Sequence, residues 1–328
     1  MTVTVVGAGP AGTSAALAAL SQGAQVRLFE KSRFPRHKVC GEFLSPEAAG
    51  LLERLGVWAE CEREKPATLR RVFLSLGERT KSWSLPEPAR GLSRYRMVEI
   101  LLDSAVRRGA ELHREHALPH DFAVLAHGRQ AKAQAGNRIF GFKAHFQGPT
   151  DDVMGLYFFQ GAYVGVNAVE GGRTNVCGLA PESLLKACGF QIDELLKLSR
   201  TASERLRPMT RVMDWLHTGP LVFGPARNPE NCYPTGDAAA FIDPFTGSGM
   251  LGAISTGILA GQAAAKRRHP CQYRKQMEHV LRGQHLAAGF LRAAIVSGWA
   301  ERMLPLVPGR LLFHSTRPRL VQTCFVQT

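Results

Sequence analysis

Val5-Val6-Gly7-Ala8-Gly9-Pro10-Ala11-Gly12 stands at the start of the chain, and its reading decides the fold. A β-like run, Thr2 to Val6, leads into it, and a helical run of small residues, Ala11 to Leu20, leads out. A second apolar run, Gln25 to Phe29, ends in Glu30, eighteen residues after Gly12. This is a strand–turn–helix–strand unit carrying a dinucleotide fingerprint. Gly7 permits the tight turn, Gly9 lets the backbone approach a pyrophosphate, and Gly12 lets helix and strand pack closely. The helix opening at Pro10 and Ala11 offers unpaired N–H groups and a positive dipole end to the phosphates. Glu30 is placed to accept from ribose hydroxyls, and its charge disfavours a 2′-phosphate.

Bulk properties narrow the class. The chain has 328 residues, 45 % hydrophobic and 21 % charged, ample for a large core and one or two domains. No apolar run reaches the roughly 18 residues that span a bilayer. The N-terminus lacks the basic segment of a signal peptide. Seven cysteines without a Cys-x-x-Cys pair suggest reduced thiols, a cytoplasmic setting and no metal site. The formal charge is +14, and residues 261–328 hold eleven Lys and Arg against two acidic residues. Either that region meets an anionic partner (an acidic carrier protein, a phosphorylated substrate, a membrane surface) or it is a solvated basic helical face. No nucleic-acid-binding module accompanies the charge.

Further along, residues 46–64 read as a helix capped by Ser45, 68–85 as extended, 96–108 as a helix and 121–126 as a buried parallel strand. Four short segments then follow: Phe140–Phe146, Val153–Phe159, Tyr163–Val169 and Arg173–Leu179. With Gly161 and Gly171-Gly172 between them, they predict an antiparallel meander. Residues 182–206 read as helical and Leu221–Phe223 as short and extended. Residues 248–266 predict a small-residue helix, 271–304 one or two amphipathic helices, and the last twenty residues no clear order. The expected architecture is α/β. A discontinuous Rossmann-like domain (1–67, 92–137, 226–270) carries an inserted β-sheet domain (68–91, 138–225) and C-terminal helices (271–328).

A second informative stretch runs from Tyr233-Pro-Thr-Gly-Asp237 through Pro244-Phe-Thr-Gly247-Ser248-Gly249-Met250 to Gly252. It reads as a strand end, a carboxylate suited to polyol hydroxyls, a Pro/Gly loop and a new helix aimed at that loop. Together with the fingerprint it resembles the FAD-dependent oxidoreductases of the p-hydroxybenzoate hydroxylase type. Within that family, Phe34-Pro-Arg-His-Lys38-Val-Cys40-Gly41-Glu-Phe-Leu-Ser-Pro46 looks like the geranylgeranyl reductase branch and its hydroxylase-like relatives. Gly141-Phe-Lys-Ala-His145 and Val169-Glu-Gly-Gly-Arg-Thr-Asn-Val-Cys177 look the same. The resemblance implies a Rossmann-like FAD-binding domain with an inserted antiparallel sheet for substrate. It implies FAD held by Gly7, Gly9, Pro10, Ala11, Gly12, Glu30, Lys31, Lys38, Cys40, Gly41 and Arg94 and, at the ring end, by Asp237, Pro244, Gly247, Ser248, Gly249 and Met250. It also implies NAD(P)H as reductant and a small-molecule substrate. Two departures stand out. Ala126-His127-Gly128-Arg129 replaces the usual Asp-Gly motif, and the segment from Glu111 to Asp121 is short. The Trp-x-Trp-x-Ile-Pro motif of flavin halogenases is absent.

Cys40 and His145 are the catalytic candidates. Cys40 either donates a proton, shapes the pocket or packs as a small apolar residue; a reactive thiolate there needs a cation such as His37 or Lys38. His145 is either a base on the substrate sheet or a hydrogen-bonded structural group. Trp215, Tyr163 and Phe158 either wall a pocket or fill a core. Two chemistries suit the motifs: oxygen transfer to an aromatic, polyketide-like or lipophilic substrate, or hydride transfer to an isoprenoid C=C bond. A redox-silent binding protein is the alternative from another class.

Overall fold

The computed structural model describes residues 1–33, 35–117, 120–129, 138–241, 246–297, 299–303 and 308–309. The chain opens with β1 (Thr2–Val6), α1 (Pro10–Ser21) and β2 (Gln25–Phe29). After a long loop come β3 (Phe43–Leu44), α2 (Pro46–Arg54) and α3 (Trp58–Arg63). A hairpin follows, β4 (Ala67–Leu76) and β5 (Arg79–Gly91), then α4 (Arg94–Arg107), β6 (Ala110–His113) and β7 (Val124–Leu125). The second half of the chain begins with β8 (Ile139–Gln147), β9 (Val153–Phe159), β10 (Ala162–Val169) and β11 (Arg173–Pro181). Three short helices, α5 (Glu182–Ala187), α6 (Ile192–Lys197) and α7 (Arg200–Leu206), lead to β12 (Thr210–Arg211), β13 (Leu216–Thr218) and β14 (Gly224–Pro225). The chain closes with β15 (Tyr233–Pro234), β16 (Ala240–Phe241), α8 (Gly249–Ala265), α9 (Pro270–Val296) and α10 (Trp299–Met303).

Two sheets organise the molecule. The first is parallel, in the order β15-β7-β1-β2-β6. Pro234, which cannot donate to a ladder, sits on its edge strand. The second runs β12-β8-β11-β10-β9-β4-β5-β3, with β13 also paired to β8. It is mixed, because β4 and β9 are parallel. The α/β fold with a Rossmann-like sheet, a second sheet and C-terminal helices is as the sequence predicts.

Local expectations needed correction. The four middle strands are not a simple meander: β8 pairs with β11, not with β9. Residues 148–152 cross three strand spacings, about 14 Å, which five residues reach in extended form. The stretch 46–64 divides into α2 and α3, and 182–206 into three helices. Ser45 precedes α2 in extended conformation, but its side chain makes no capping bond. Pro46 at the first helical position sets that start instead. Helix α4 begins at Arg94, where the Ser93 hydroxyl accepts from the Arg96 N–H at 3.2 Å. The strand expected at 121–126 is only Val124–Leu125, and Leu221–Phe223 lies between strands rather than in one. Strand β6, unforeseen, borders the parallel sheet in the short segment before β7.

The main core lies under the parallel sheet, between α1, α2, α4, α8 and α9. Helices α1 and α8 touch backbone to backbone. A Cβ at Gly257 would come within 2.3 Å of the Ala11 carbonyl oxygen, and one at Gly261 within 2.1 Å of that of Ala15. The two contacts advance together along both helices, so α1 and α8 run parallel, with the start of α8 about 10 Å beyond that of α1. A second core packs Phe142, Ala144 and Phe146 of β8 against Leu185, Leu195 and Leu206 of α5–α7. By the period of two in a strand, Lys143 and His145 point to the opposite face, where both meet Glu42. Among the described residues, no helix is long and apolar enough to cross a membrane.

Candidate functional site

The Gly7–Gly12 turn has the geometry that its glycine spacing predicts. Gly7 has φ +103°, and its N–H donates to the Phe29 carbonyl at 2.7 Å. A Cβ on Gly12 would fall 1.7 Å from the Gly7 carbonyl oxygen, so only glycine lets α1 start this close to β1. Gly9 differs: a Cβ there would meet only Arg94 Nη2, at 3.7 Å. The side of Gly9 that faces Arg94 is open, as a pyrophosphate needs. Pro10 and Ala11 are buried in the first turn of α1. Glu30 stands at the tip of β2, its carboxylate oriented by the N–H groups of Ala8 (3.0 Å) and Ser32 (2.8 Å). Lys31 is exposed beside it.

Charged groups converge on that open side. Asp237, in the turn after β15, is half-buried; burial pushes its carboxyl up, against the opposing pull of Arg94, Arg129 and Lys38. Lys38 is held down to about 8 by burial and then by the like charges of Arg94 and Arg36, against Glu30 and Asp237. Cations crowded until one of them loses its proton readily mark a place for an anion. Arg129, which follows the altered Asp-Gly motif, lies over the Phe241 ring at 5.0 Å and donates to Thr218 Oγ1 at 2.7 Å. Its Nη1 is buried without a partner. At the far end, Gly247 has φ +62° and Ser248 is buried against Thr246 Oγ1 at 2.6 Å. A Cβ on Gly249 would meet nothing within 4 Å. Met250 is buried in the first turn of α8. Pro244 lies outside the described residues.

The loop 35–45 carries the most unusual arrangement. Glu42 is fully buried with φ +52°, rare for a residue with a side chain. Its carboxylate accepts from Lys143 Nζ, from His145 Nε2 at 2.6 Å and from the Arg94 N–H at 2.8 Å. Burial raises the Glu42 carboxyl, but the Lys143 charge and the His145 hydrogen bond outweigh it and hold it low. Lys143 is fully buried, so its ammonium depends on this one carboxylate. Glu42 therefore ties three elements together: the Cys40 loop, strand β8 and the start of α4, whose first residue faces Gly9. His37 lies against the same cluster, stacked on Tyr95 at 4.8 Å and edge-on to His145 at 5.3 Å. Its pKa is lowered by burial and by Lys143. His37, Glu42 and His145 approach one another closely enough to hold a metal ion. The Lys143 ammonium on Glu42 argues against one, since it already supplies the positive charge.

Across the sheet the same face reads as a gradient. The register places His145 beside Asn175 and Asn167, Lys143 beside Cys177 and Gly165, and Gly141 beside Leu179 and Tyr163. Phe158 and Leu156 of β9 continue the face, and Leu76 and Leu74 of β4 extend it. One end is polar and charged, the other apolar. Asn175 donates to the Cys40 carbonyl at 3.1 Å, and its Oδ1 is buried without a partner. The apolar end is closed by Ile295 of α9 and Ala300 of α10.

The structure brings His145 and the Cys40 loop together and buries the Cys40 thiol, which disfavours its thiolate. Burial raises its pKa, and the nearby Arg94 and Lys143 do not offset this. Lys38 interacts with Arg94, Arg36, Glu30 and Asp237, and burial and the Lys143 charge lower the His37 pKa. Trp215 belongs to the other face, edge-on to Phe142 and Phe146. Glu42 and Lys143 are the residues that sequence reasoning missed. A signal for Lys143 existed: the alternation Phe142, Ala144, Phe146 places it on His145's face. All six described cysteines are free thiols.

Residues 1–139 match the FAD binding domain family. A 55-residue stretch is 49 % identical to a menaquinone reductase of Mycolicibacterium smegmatis and 47 % identical to one of Mycobacterium tuberculosis. That stretch is 17 % of this chain and only 13 % and 14 % of those two proteins. Solved structures resemble nearly the whole chain. A flavin-dependent brominase triple mutant superposes with a TM-score of 0.78 at 18 % identity, covering 96 % of this chain and 93 % of that one. A flavoprotein/dehydrogenase from Cytophaga hutchinsonii gives 0.75 at 17 %, covering 96 % and 91 %. The myxobacterial chondrochloren halogenase gives 0.76 at 18 %, covering 98 % and 94 %. At such identities the likeness is one of fold, and the halogenase Trp-x-Trp-x-Ile-Pro motif is missing from this sequence.

Proposed function

We propose that the protein is an FAD-dependent oxidoreductase, a monooxygenase acting on a lipophilic small molecule with one polar group and drawing electrons from NAD(P)H. The observation that carries the FAD assignment is the open side of Gly9, where Arg94, Lys38 and Asp237 converge beside the N-terminus of α1. Those residues fit the cofactor. Gly7–Gly12 and Lys38 would hold its pyrophosphate, Glu30 its adenosine ribose, and Asp237 its polyol chain. Bound there, FAD supplies two-electron chemistry and, with O₂, oxygen transfer.

The chain's own residues do the rest. Glu42, locked by Lys143 and His145, fixes the Cys40–Gly41 loop against the sheet. The sheet face from His145 to Phe158 receives the substrate, polar group toward Asn175 and apolar body toward Leu156 and Leu74. Local identity to menaquinone reductases favours a second reading, a reductase; the resemblance to the geranylgeranyl reductase branch supplies its bond, an isoprenoid C=C. Mass spectrometry separates the two when the FAD-loaded protein is given NADPH, air and a panel of prenylated phenols and quinones. A gain of one oxygen atom supports the monooxygenase. A gain of two hydrogens that survives reoxidation of any quinol replaces it with the reductase, and no FAD-dependent product from any substrate refutes both.

A further inference from the structure

Helix α9 has an inner and an outer side with different tasks. Tyr273, Met277, Val280 and Leu281 enter the main core, and Ile295 closes the apolar end of the sheet face. The outer side follows a helical spacing of three and four: Lys275, His279, Arg282, Leu286, Phe290, Ala293. Its first half is basic. Lys266, Arg267 and Arg268, exposed in the turn before α9, extend it, and Glu278 is the one exposed carboxylate on α9. Its second half is apolar and bare: Leu286 is 66 % exposed and Phe290 74 %. The next helix continues the pattern, with Trp299 64 % and Met303 41 % exposed.

Large apolar side chains clustered at the surface, flanked by cations, are the signature of an interfacial helix. Its apolar residues enter the headgroup boundary, and its cations rest on anionic lipid phosphates. Tryptophan is suited to that boundary. A soluble acidic protein would meet the cations equally well but would leave Leu286, Phe290 and Trp299 without a hydrocarbon layer to enter. The position matters too. The other side of these same helices covers the apolar end of the sheet face, through Ile295 and Ala300.

We propose that α9 and α10 dock the protein on an anionic membrane surface, with Leu286, Phe290, Trp299 and Met303 inserted and Lys275 and Arg282 on the phosphates. Docking there would place the apolar end of the site next to lipid. The docking itself does not depend on the reaction assigned above, and its test involves no turnover.

The test is flotation of the FAD-loaded full chain with vesicles of phosphatidylcholine alone or mixed with phosphatidylglycerol, at low salt and at 0.5 M salt. The expected result is binding to the mixed vesicles that salt weakens, with a blue shift of tryptophan emission that Trp299→Phe removes. Leu286→Ser combined with Phe290→Ser should lower the partition coefficient at least tenfold while leaving FAD content unchanged. Three results would overturn the proposal. The protein fails to float with either vesicle; or the double variant floats as well as the parent; or light scattering shows a dimer that the double variant dissolves, which assigns the face to a second copy of the chain.

Discussion

Lys38 gives the proposed FAD site a pH dependence that can be worked out in advance. Its ammonium is weakened by burial and by Arg94 and Arg36, which brings its pKa to about 8. A pyrophosphate bound at Gly9 would favour the protonated form, so FAD affinity should follow that form's population. About ten elevenths of Lys38 is protonated at pH 7 and about one eleventh at pH 9. The dissociation constant should therefore rise about tenfold across that range, equivalent to about 1.4 kcal/mol. Unfolding does not produce this trend. A lysine whose folded pKa lies below its unfolded value of about 10.4 makes the protein more stable as pH rises from about 8 toward that value. Cys40 does not supply the trend either, because burial raises its pKa above that of a free thiol. Titration of FAD fluorescence at pH 7, 8 and 9 and constant ionic strength measures the effect. Lys38→Met should bind about 1.5–3 kcal/mol more weakly at pH 7, the usual worth of a hydrogen bond to a charged group. That variant should also be insensitive to pH from 7 to 9. A flat dissociation constant in the parent protein, or an unchanged slope in Lys38→Met, would refute the reasoning.

Other expectations follow from the same geometry. Glu42→Gln strands the Lys143 ammonium in the interior and should cost about 3–5 kcal/mol in denaturant unfolding; adding Lys143→Met should restore most of it. Because the folded Glu42 carboxyl sits below its ordinary value, its stabilisation should be complete above the unfolded carboxylate pKa of about 4.3 and lost as pH falls through the folded one. Glu30→Ala should weaken FAD by about 1–3 kcal/mol without unfolding the protein, read by equilibrium titration and circular dichroism. In the native protein at pH 8, iodoacetamide should label exposed Cys271 and spare Cys40; rapid labelling of Cys40 would show an activated thiol after all.

The parts of the fold that were legible in the sequence rest on local rules. Gly7 and Gly12 leave one backbone path from β1 into α1, and the small residues of 249–265 permit the contact between α1 and α8. The parts that were not legible depend on long-range pairing. Nothing local says that β8 should join β11, because that choice is made by a connector crossing three strands. Ser45 had the composition of a cap but lacks the bond, since Pro46 already sets the helix start. Cys40 beside His37 and Lys38 suggested a reactive thiol, yet burial dominates at Cys40, and Lys38 interacts with Arg94, Arg36, Glu30 and Asp237. Glu42 carried no signal at all. Its role emerges only when the loop's left-handed turn brings it onto Lys143 and His145, 101 and 103 residues away.

The claim that FAD lies between the Gly7–Gly12 turn and Asp237 is tested most directly at Gly9. A side chain there would meet only the tip of Arg94, so Gly9→Val should fold normally, but its methyl groups would fill the space left for the pyrophosphate. The measurement is flavin stoichiometry after saturation with FAD and gel filtration, with circular dichroism as the control for folding. The account predicts one FAD per chain for the parent protein and none for a folded Gly9→Val. A parent protein that takes up no FAD, or a variant that keeps its full flavin content, would contradict it.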